Sequence, residues 1–180
     1  MKSKVVQYYV EGEDEARLIQ VLKNDLCVIR PGKVQKLNVM QDPLSDARLM
    51  TLKSRTMVVL IFDTDIGYTT ILGENLEKLR KCPAVAEIVT IPQVPNLEGE
   101  LVRSCDIKQI TDLLGSKSKA EFKTDWLRTK NLAAKLIEHR FNIKQFWCQQ
   151  SPYRDIKNES QKIWCPASSR QFRQSSLKDK

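Results

Sequence analysis

Residues 57–67 read MVVLIFDTDIG, and the fold turns on this stretch. Met57 to Phe62 is an unbroken apolar run rich in β-branched side chains, with the length and composition of a strand buried on both faces of a sheet. The run ends in acid: Asp63 and Asp65 stand one residue apart, and Gly67 follows. A rigid strand therefore delivers two carboxylates to its C-terminal edge, where open α/β sheets bind ligands. Two carboxylates this close repel when both are ionised, and a divalent cation held by oxygen ligands relieves that repulsion most directly. The competing reading makes Asp63 a helix cap and leaves Asp65 in a solvated turn.

A second stretch, VVQYYVEGEDE at 5–15, repeats the pattern. An apolar strand, Val5 to Val10, runs into Glu11 and Gly12, and the following EDEARLIQVLKN has the i, i+3, i+4 spacing of an amphipathic helix. If the two strands are neighbours in one parallel sheet, Glu11, Asp63 and Asp65 converge. Glu15, about one helical turn beyond Glu11, reaches the same point from the top of the helix.

These residues carry a family resemblance. A Glu-Gly at the end of a first strand, followed by a hydrophobic strand ending in D-x-D and a glycine, resembles the Toprim domain of type IA topoisomerases, bacterial primases, recombination mediators, ribosomal-RNA maturases and overcoming-lysogenisation-defect (OLD) nucleases. The variant VEGEDE, with Glu11 and Glu15 in an E-G-x-x-E arrangement, is most similar to the OLD-nuclease branch and to small Toprim-like proteins of phage-defence loci. The resemblance covers roughly residues 4 to 105.

The rest of the chain fits an α/β alternation. Lys33 to Met40 reads as a second strand, Leu44 to Ser54 as a short helix, ILGENLEKLRKC after Thr69 or Thr70 as a helix with a core stripe of Ile71, Leu72, Leu76 and Leu79, and Ala86 to Ile91 as another strand. The expected fold is a single α/β, Toprim-like (Rossmann-like) domain. It has a mostly parallel sheet of four or more strands flanked by helices, with a helical C-terminal extension. Residues 1–105 form the core, 106–167 a basic helical extension packed on it, and 168–180 a flexible basic tail.

Past the fourth strand, PQVPNLEGELVRSCD again sets carboxylates beyond a strand end. OLD-type domains carry a further acid there, so the resemblance implies Glu98 as an additional ligand, with Glu100 in reserve. The plainer reading has both acids favouring the positive end of a helix. In the extension, a Gly115 to Lys119 break precedes a longer helix to about His139, with Phe122, Trp126, Leu132, Leu136 and Ile137 as its packing stripe. His139, the chain's one histidine, reads as a cationic helix-end residue. Trp147, Tyr153 and Trp164 either stack on bases or, with Phe146, dock the segment onto the domain.

The 180 residues, 41% of them hydrophobic, suffice for one domain with a core, and a net charge of +8 with pI near 9.3 points to a polyanionic partner. Candidate nucleic-acid contacts are Lys53 and Arg55 before the D-x-D strand and Lys123, Arg128, Lys130 and Lys135 in the extension. Lys33, Lys36 and Arg48 either line a phosphate-binding face or form solvated basic surface. The five cysteines are scattered without C-x-x-C spacing, which argues against structural zinc and for free thiols. MKSKVV passes directly into the first strand and no apolar run approaches the roughly 20 residues of a membrane span, so a cytoplasmic protein without membrane association is expected.

The chemistry these parts suit is metal-dependent phosphodiester cleavage in DNA or RNA, and the resemblance places it in phage defence or RNA processing. Glu11, Asp63 and Asp65 are the candidate catalytic residues. Glu11, Glu15, Asp63, Asp65 and Glu98 are the candidate ligands of one or two Mg²⁺ or Mn²⁺ ions. The resemblance also allows Glu11 to transfer a proton and a separate ATPase or sensor protein to act as regulatory partner. Tyr68 is the one tyrosine beside the acidic loop, a weak nucleophile candidate. The rivals are a non-catalytic Toprim-fold nucleic-acid-binding module and a doubly wound domain binding a nucleotide. Neither G-x-x-x-x-G-K-[ST] nor G-x-G-x-x-G occurs, which counts against the last.

Overall fold

Strands β1 (Val5–Val10), β2 (Lys33–Lys36), β3 (Thr56–Asp63) and β4 (Val85–Gln93) form one sheet in the order β2-β1-β3-β4, with every neighbouring pair parallel. The structure is a computed structural model that describes residues 5–65, 67 and 69–165. Tyr68 and the 168–180 tail lie outside the described residues. Six helices accompany the sheet among those residues: α1 (Glu13–Gln20), which runs on into a π-helical turn at Val21–Asp25, α2 (Asp46–Met50), α3 (Thr70–Lys81), α4 (Leu97–Ser104), α5 (Lys119–Arg128) and α6 (Leu132–Glu138). This is the α/β class that the alternation predicts. Among the described residues no helix is long and apolar enough to cross a membrane.

The two-residue period of β3 sorts its side chains onto two cores. Met57, Val59 and Ile61 pack with Tyr8 and Val10 of β1, Leu18, Ile19 and Leu22 of the first helix, Leu101 of α4 and Trp126 of α5. Val58, Leu60 and Phe62 pack on the other face with Tyr9, Leu44 and the α3 residues Leu72, Leu76 and Leu79. After β1 the chain turns onto the first face, and after β3 onto the second. Strand order also reverses here, since β2 lies on one side of β1 and β3 on the other. The C-terminal ends of β1 and β3 thus flank a topological switch point, where departing loops leave a crevice.

Three elements differ from the sequence expectation. The second strand stops at Lys36, because Leu37 N–H makes the last ladder bond to Val10 O at 2.8 Å and Asn38 then turns the chain. Its side chain accepts from Met40 N–H at 3.1 Å and its carbonyl accepts from Asp42 N–H at 2.7 Å, an Asx-type turn. The helix expected over Leu44 to Ser54 shrinks to α2, capped by Ser45 and ended where the Thr51 hydroxyl bonds Arg48 O at 2.7 Å. The long helix to His139 is two, broken at 129–131, where the Arg17 guanidinium takes the carbonyls of Leu127 (2.9 Å) and Thr129. The break resets the helical phase, so α6 buries Leu132 and Leu136 and leaves Ile137 47% exposed, outside the expected stripe.

The buried apolar residues beyond 105 share the first core, while Tyr153 and Ile156 lie partly buried against the second. Phe122 and Trp126 stack at 5.6 Å between ring centres, and the Trp126 indole N–H reaches Asp14 O at 3.2 Å, tying α5 to the first turn of α1. Phe146 and Trp147 are fully buried, as docking anchors rather than stacking platforms. Ile29 and Trp164 form an antiparallel bridge that returns the chain to the residues just after the first helix.

Candidate metal centre

Glu11 and Asp63 meet because of strand register. Tyr9 pairs with Leu60, so continuing the ladder sets Glu11 beside Phe62, one residue short of Asp63. Thr64 then fixes the acidic tripeptide to the next strand. Its N–H donates to Gln93 O (3.1 Å) and Pro95 O (2.8 Å), and its hydroxyl to Gln93 O (2.9 Å). Val94-Pro95 is a cis peptide. Asp65 is exposed at the mouth of the crevice.

The helix that follows Glu11 contributes Glu15, which is buried and accepts Gly12 N–H at 2.9 Å, the reciprocal half of a capping box. One Glu15 oxygen therefore closes the helix end beside the crevice. A Cβ on Gly12 would lie 3.2 Å from that oxygen, which is why the E-G step suits this corner. At the start of α4, Asn96 caps Gly99 N–H at 3.1 Å and Glu98 stands half-buried, 4.0 Å from the Lys123 ammonium.

Glu100 does not join them. It is 0% exposed, and its oxygens accept Val94 N–H and Trp147 N–H at 2.8 Å each, while Arg103 pairs with it at 2.8 Å. The reserve ligand is instead a fastening between the β4–α4 loop and the C-terminal segment. Helical spacing hides this role, because the partners are set by residues as distant as Trp147.

Electrostatics bind the acids into one group. Burial, then Glu11, Glu15, Asp65 and Glu98 in turn, push the Asp63 carboxyl up to about 8. Burial also raises Glu11, against the stabilising Asp63 N–H and Asn38 side chain and with the help of Asp65. Glu15 is raised by burial, although its own N–H and that of Gly12 oppose it and Asp14 and Glu11 add to it. Asp14, not singled out in the sequence, is raised by burial, lowered by Lys123, and raised again by Glu98 and Glu13. Asn38, Thr64 and Asp14 are contributors that sequence reasoning missed. Asn38 carries a turn signal, but its reach to Glu11 depends on β2 lying beside β1.

Two buried carboxylate oxygens, Glu11 Oε2 and Asp63 Oδ1, have no hydrogen-bond partner. An unpartnered, part-desolvated anion is costly unless it is protonated or neutralised, and hard oxygen donors of this kind suit Mg²⁺ or Mn²⁺. The donor set fits such an ion. Among the described residues, no three His, Cys, Asp or Glu side chains are gathered closely enough to hold one as they stand. The acids are within Coulomb reach of one another.

The basic candidates divide by edge. Lys123 stands at the acidic edge, while Arg128 and Lys130 are exposed at the end of α5 and just beyond it. Lys135 pairs with Glu138 at 2.8 Å along α6. Lys53 and Arg55 precede β3, so they sit at the opposite edge of the sheet, about 26 Å from Asp63 at the rise of an extended strand. His139 is the C-cap of α6, its carbonyl accepting Asp106 N–H at 2.7 Å. Tyr153 packs partly buried on the second core, and Asp65 adds to the burial that raises its phenol.

No protein-family model, curated protein or solved structure matches the chain.

Proposed function

We propose that this protein is a Toprim-like, metal-dependent nuclease that cleaves phosphodiester bonds in DNA or RNA. The observation that carries this reading is the pair of buried, partnerless oxygens of Glu11 and Asp63 at the switch point of a parallel sheet, in a chain of net charge +8. Two neighbouring carboxylates that each keep a buried oxygen without a hydrogen bond repel phosphate, whereas such oxygens are the donors a hard cation requires. Glu11, Glu15, Asp63, Asp65 and Glu98 are the residues to hold one or two Mg²⁺ or Mn²⁺ ions. When bound, such an ion neutralises charge on a phosphate and lowers the pKa of an attacking water. The chain's own part is positional: Thr64 holds Asp63 and Asp65 on the end of β4, Gly12 and Glu15 close the helix end, and Lys123 offers an ammonium to phosphate. Cytoplasmic action under a separate ATPase or sensor protein, in phage defence or RNA processing, belongs to the same proposal.

The second reading, a non-catalytic nucleic-acid-binding module, is favoured by the lack of a pre-gathered three-ligand group among the described residues. A cleavage assay separates the two. Labelled single- and double-stranded DNA and RNA are incubated with Mg²⁺, Mn²⁺ or EDTA, beside Glu11→Ala and Asp63→Ala. Cutting that needs metal and is lost in both variants is the expected result. Binding without cutting under either metal favours the module, and cutting retained by Asp63→Ala removes the site.

A further inference from the structure

The acidic crevice is bracketed by two lysines, and the sequence reading assigned only one of them to the binding set. Lys36 is the last residue of β2 and pairs in register with Val10, so it lies on the strand beside Glu11. Its ammonium is engaged by the Glu13 carboxylate, both side chains more than half exposed, at 52% and 62%. On the far side of the crevice, Lys123 faces the part-exposed Glu98 more loosely, at 4.0 Å. Between the two pairs runs the first turn of α1, with Asp14 in electrostatic reach of Glu13, Glu98 and Lys123.

Exposed ion pairs of this kind contribute little to stability, and a phosphate offers a lysine the same hard anionic oxygens as a carboxylate. Spacing adds to the argument. Lys36 belongs to β2 and Glu98 follows β4, three strand spacings away, or about 14 Å. The β1–β3 crevice lies in the middle of that span.

We infer that Lys36 is a phosphate-positioning residue and that a polynucleotide strand crosses the first turn of α1, with Lys36 and Lys123 holding phosphates on either side of Glu11 and Asp63. This rests on the nuclease reading above and gives its substrate a path. In the free protein Glu13 occupies Lys36, so binding exchanges one anion for another. Lys36 holds substrate without touching the reacting bond.

The test is a salt titration of binding by the full chain to short labelled single-stranded DNA and RNA oligonucleotides, followed by anisotropy in EDTA, where metal-dependent cutting is silent. Lys36→Ala should lower the slope of log K against log salt by about 0.7 and weaken binding about five-fold near 0.1 M salt. Glu13→Gln should tighten binding while keeping the slope. Lys81→Ala removes the same charge from an exposed pair with Glu77, at the far end of α3 from the crevice, and should leave the slope unchanged. A Lys36→Ala slope equal to that of Lys81→Ala overturns the inference and leaves the nuclease reading standing. So does a melting shift in both Lys36→Ala and Glu13→Gln without a change in binding. If the unaltered chain binds neither polymer, both are overturned. The DNA and RNA arms report which backbone the path accepts.

Discussion

Glu100 and Asp63 lie near the same edge of one sheet, yet both oxygens of Glu100 accept hydrogen bonds while Asp63 keeps a buried oxygen with no partner. Glu100 is met by two backbone N–H donors and a guanidinium. Burial and the neighbouring acids favour the neutral form of Asp63. Burial alone therefore says nothing about what an acid does. The count of donors aimed at it separates a fastening from a site.

The sharpest way to break this comparison is to remove Glu100. Glu100→Ala leaves two backbone N–H groups without an acceptor and Arg103 without its counter-charge, though Arg103 still donates to Val94 O at 2.6 Å, and should cost about 3–5 kcal/mol in urea unfolding. A loss below about 1 kcal/mol would deny Glu100 its fastening role. Asp63→Asn should act in the opposite sense. It should cut metal-dependent cleavage more than about a hundredfold, while raising the metal-free melting temperature near neutral pH, because the cost of protonating a buried carboxyl on folding is gone. A lower melting temperature would mean that the Asp63 carboxylate has a structural partner.

The pH response sharpens the contrast. Without metal, folded Asp63 keeps its proton up to about 8 while the unfolded chain releases it in the ordinary aspartate range. The folded state therefore binds more protons across that window. Its stability is fully present below the unfolded pKa, falls as pH rises through the window and levels off above about 8. Melting curves from pH 4 to 9 should show this decline in EDTA, and Asp63→Asn should flatten it. Divalent metal competes with the same proton, so its affinity by calorimetry should rise with pH over that range. The smallest effect belongs to the rim: Glu98→Gln should change stability by less than about 1 kcal/mol, since Lys123 and Glu98 are a part-exposed pair.

Much of this was open to sequence reasoning because it is local. The strand at Met57 to Phe62 declares itself by an apolar run too short for a helix, α1 and α3 by their spacing, and the acidic edge by where the runs stop. What stayed hidden depends on contacts remote in sequence. Nothing near Glu100 announces Trp147 as its partner. The α5–α6 break is held by Arg17, more than a hundred residues earlier, and the two readings of Lys36, phosphate-binding face or solvated surface, stay level until β2 is known to lie beside β1. Lys53 and Arg55 precede the acidic strand closely in sequence, but an extended chain carries them away to the other edge of the sheet.

The bridge between Ile29 and Trp164 also sets a clock. A chain made from its N-terminus at about 5–20 residues per second holds Ile29 ready on the order of ten seconds before Trp164 exists. Glu11 and Glu15 are translated before that wait begins, and Asp63, Asp65 and Glu98 in the course of it. Lys123, and later the Trp147 that closes on Glu100, arrive behind them. The ribosome thus supplies the Lys123 side of the crevice last, and an emerging chain carries its carboxylates without that ammonium.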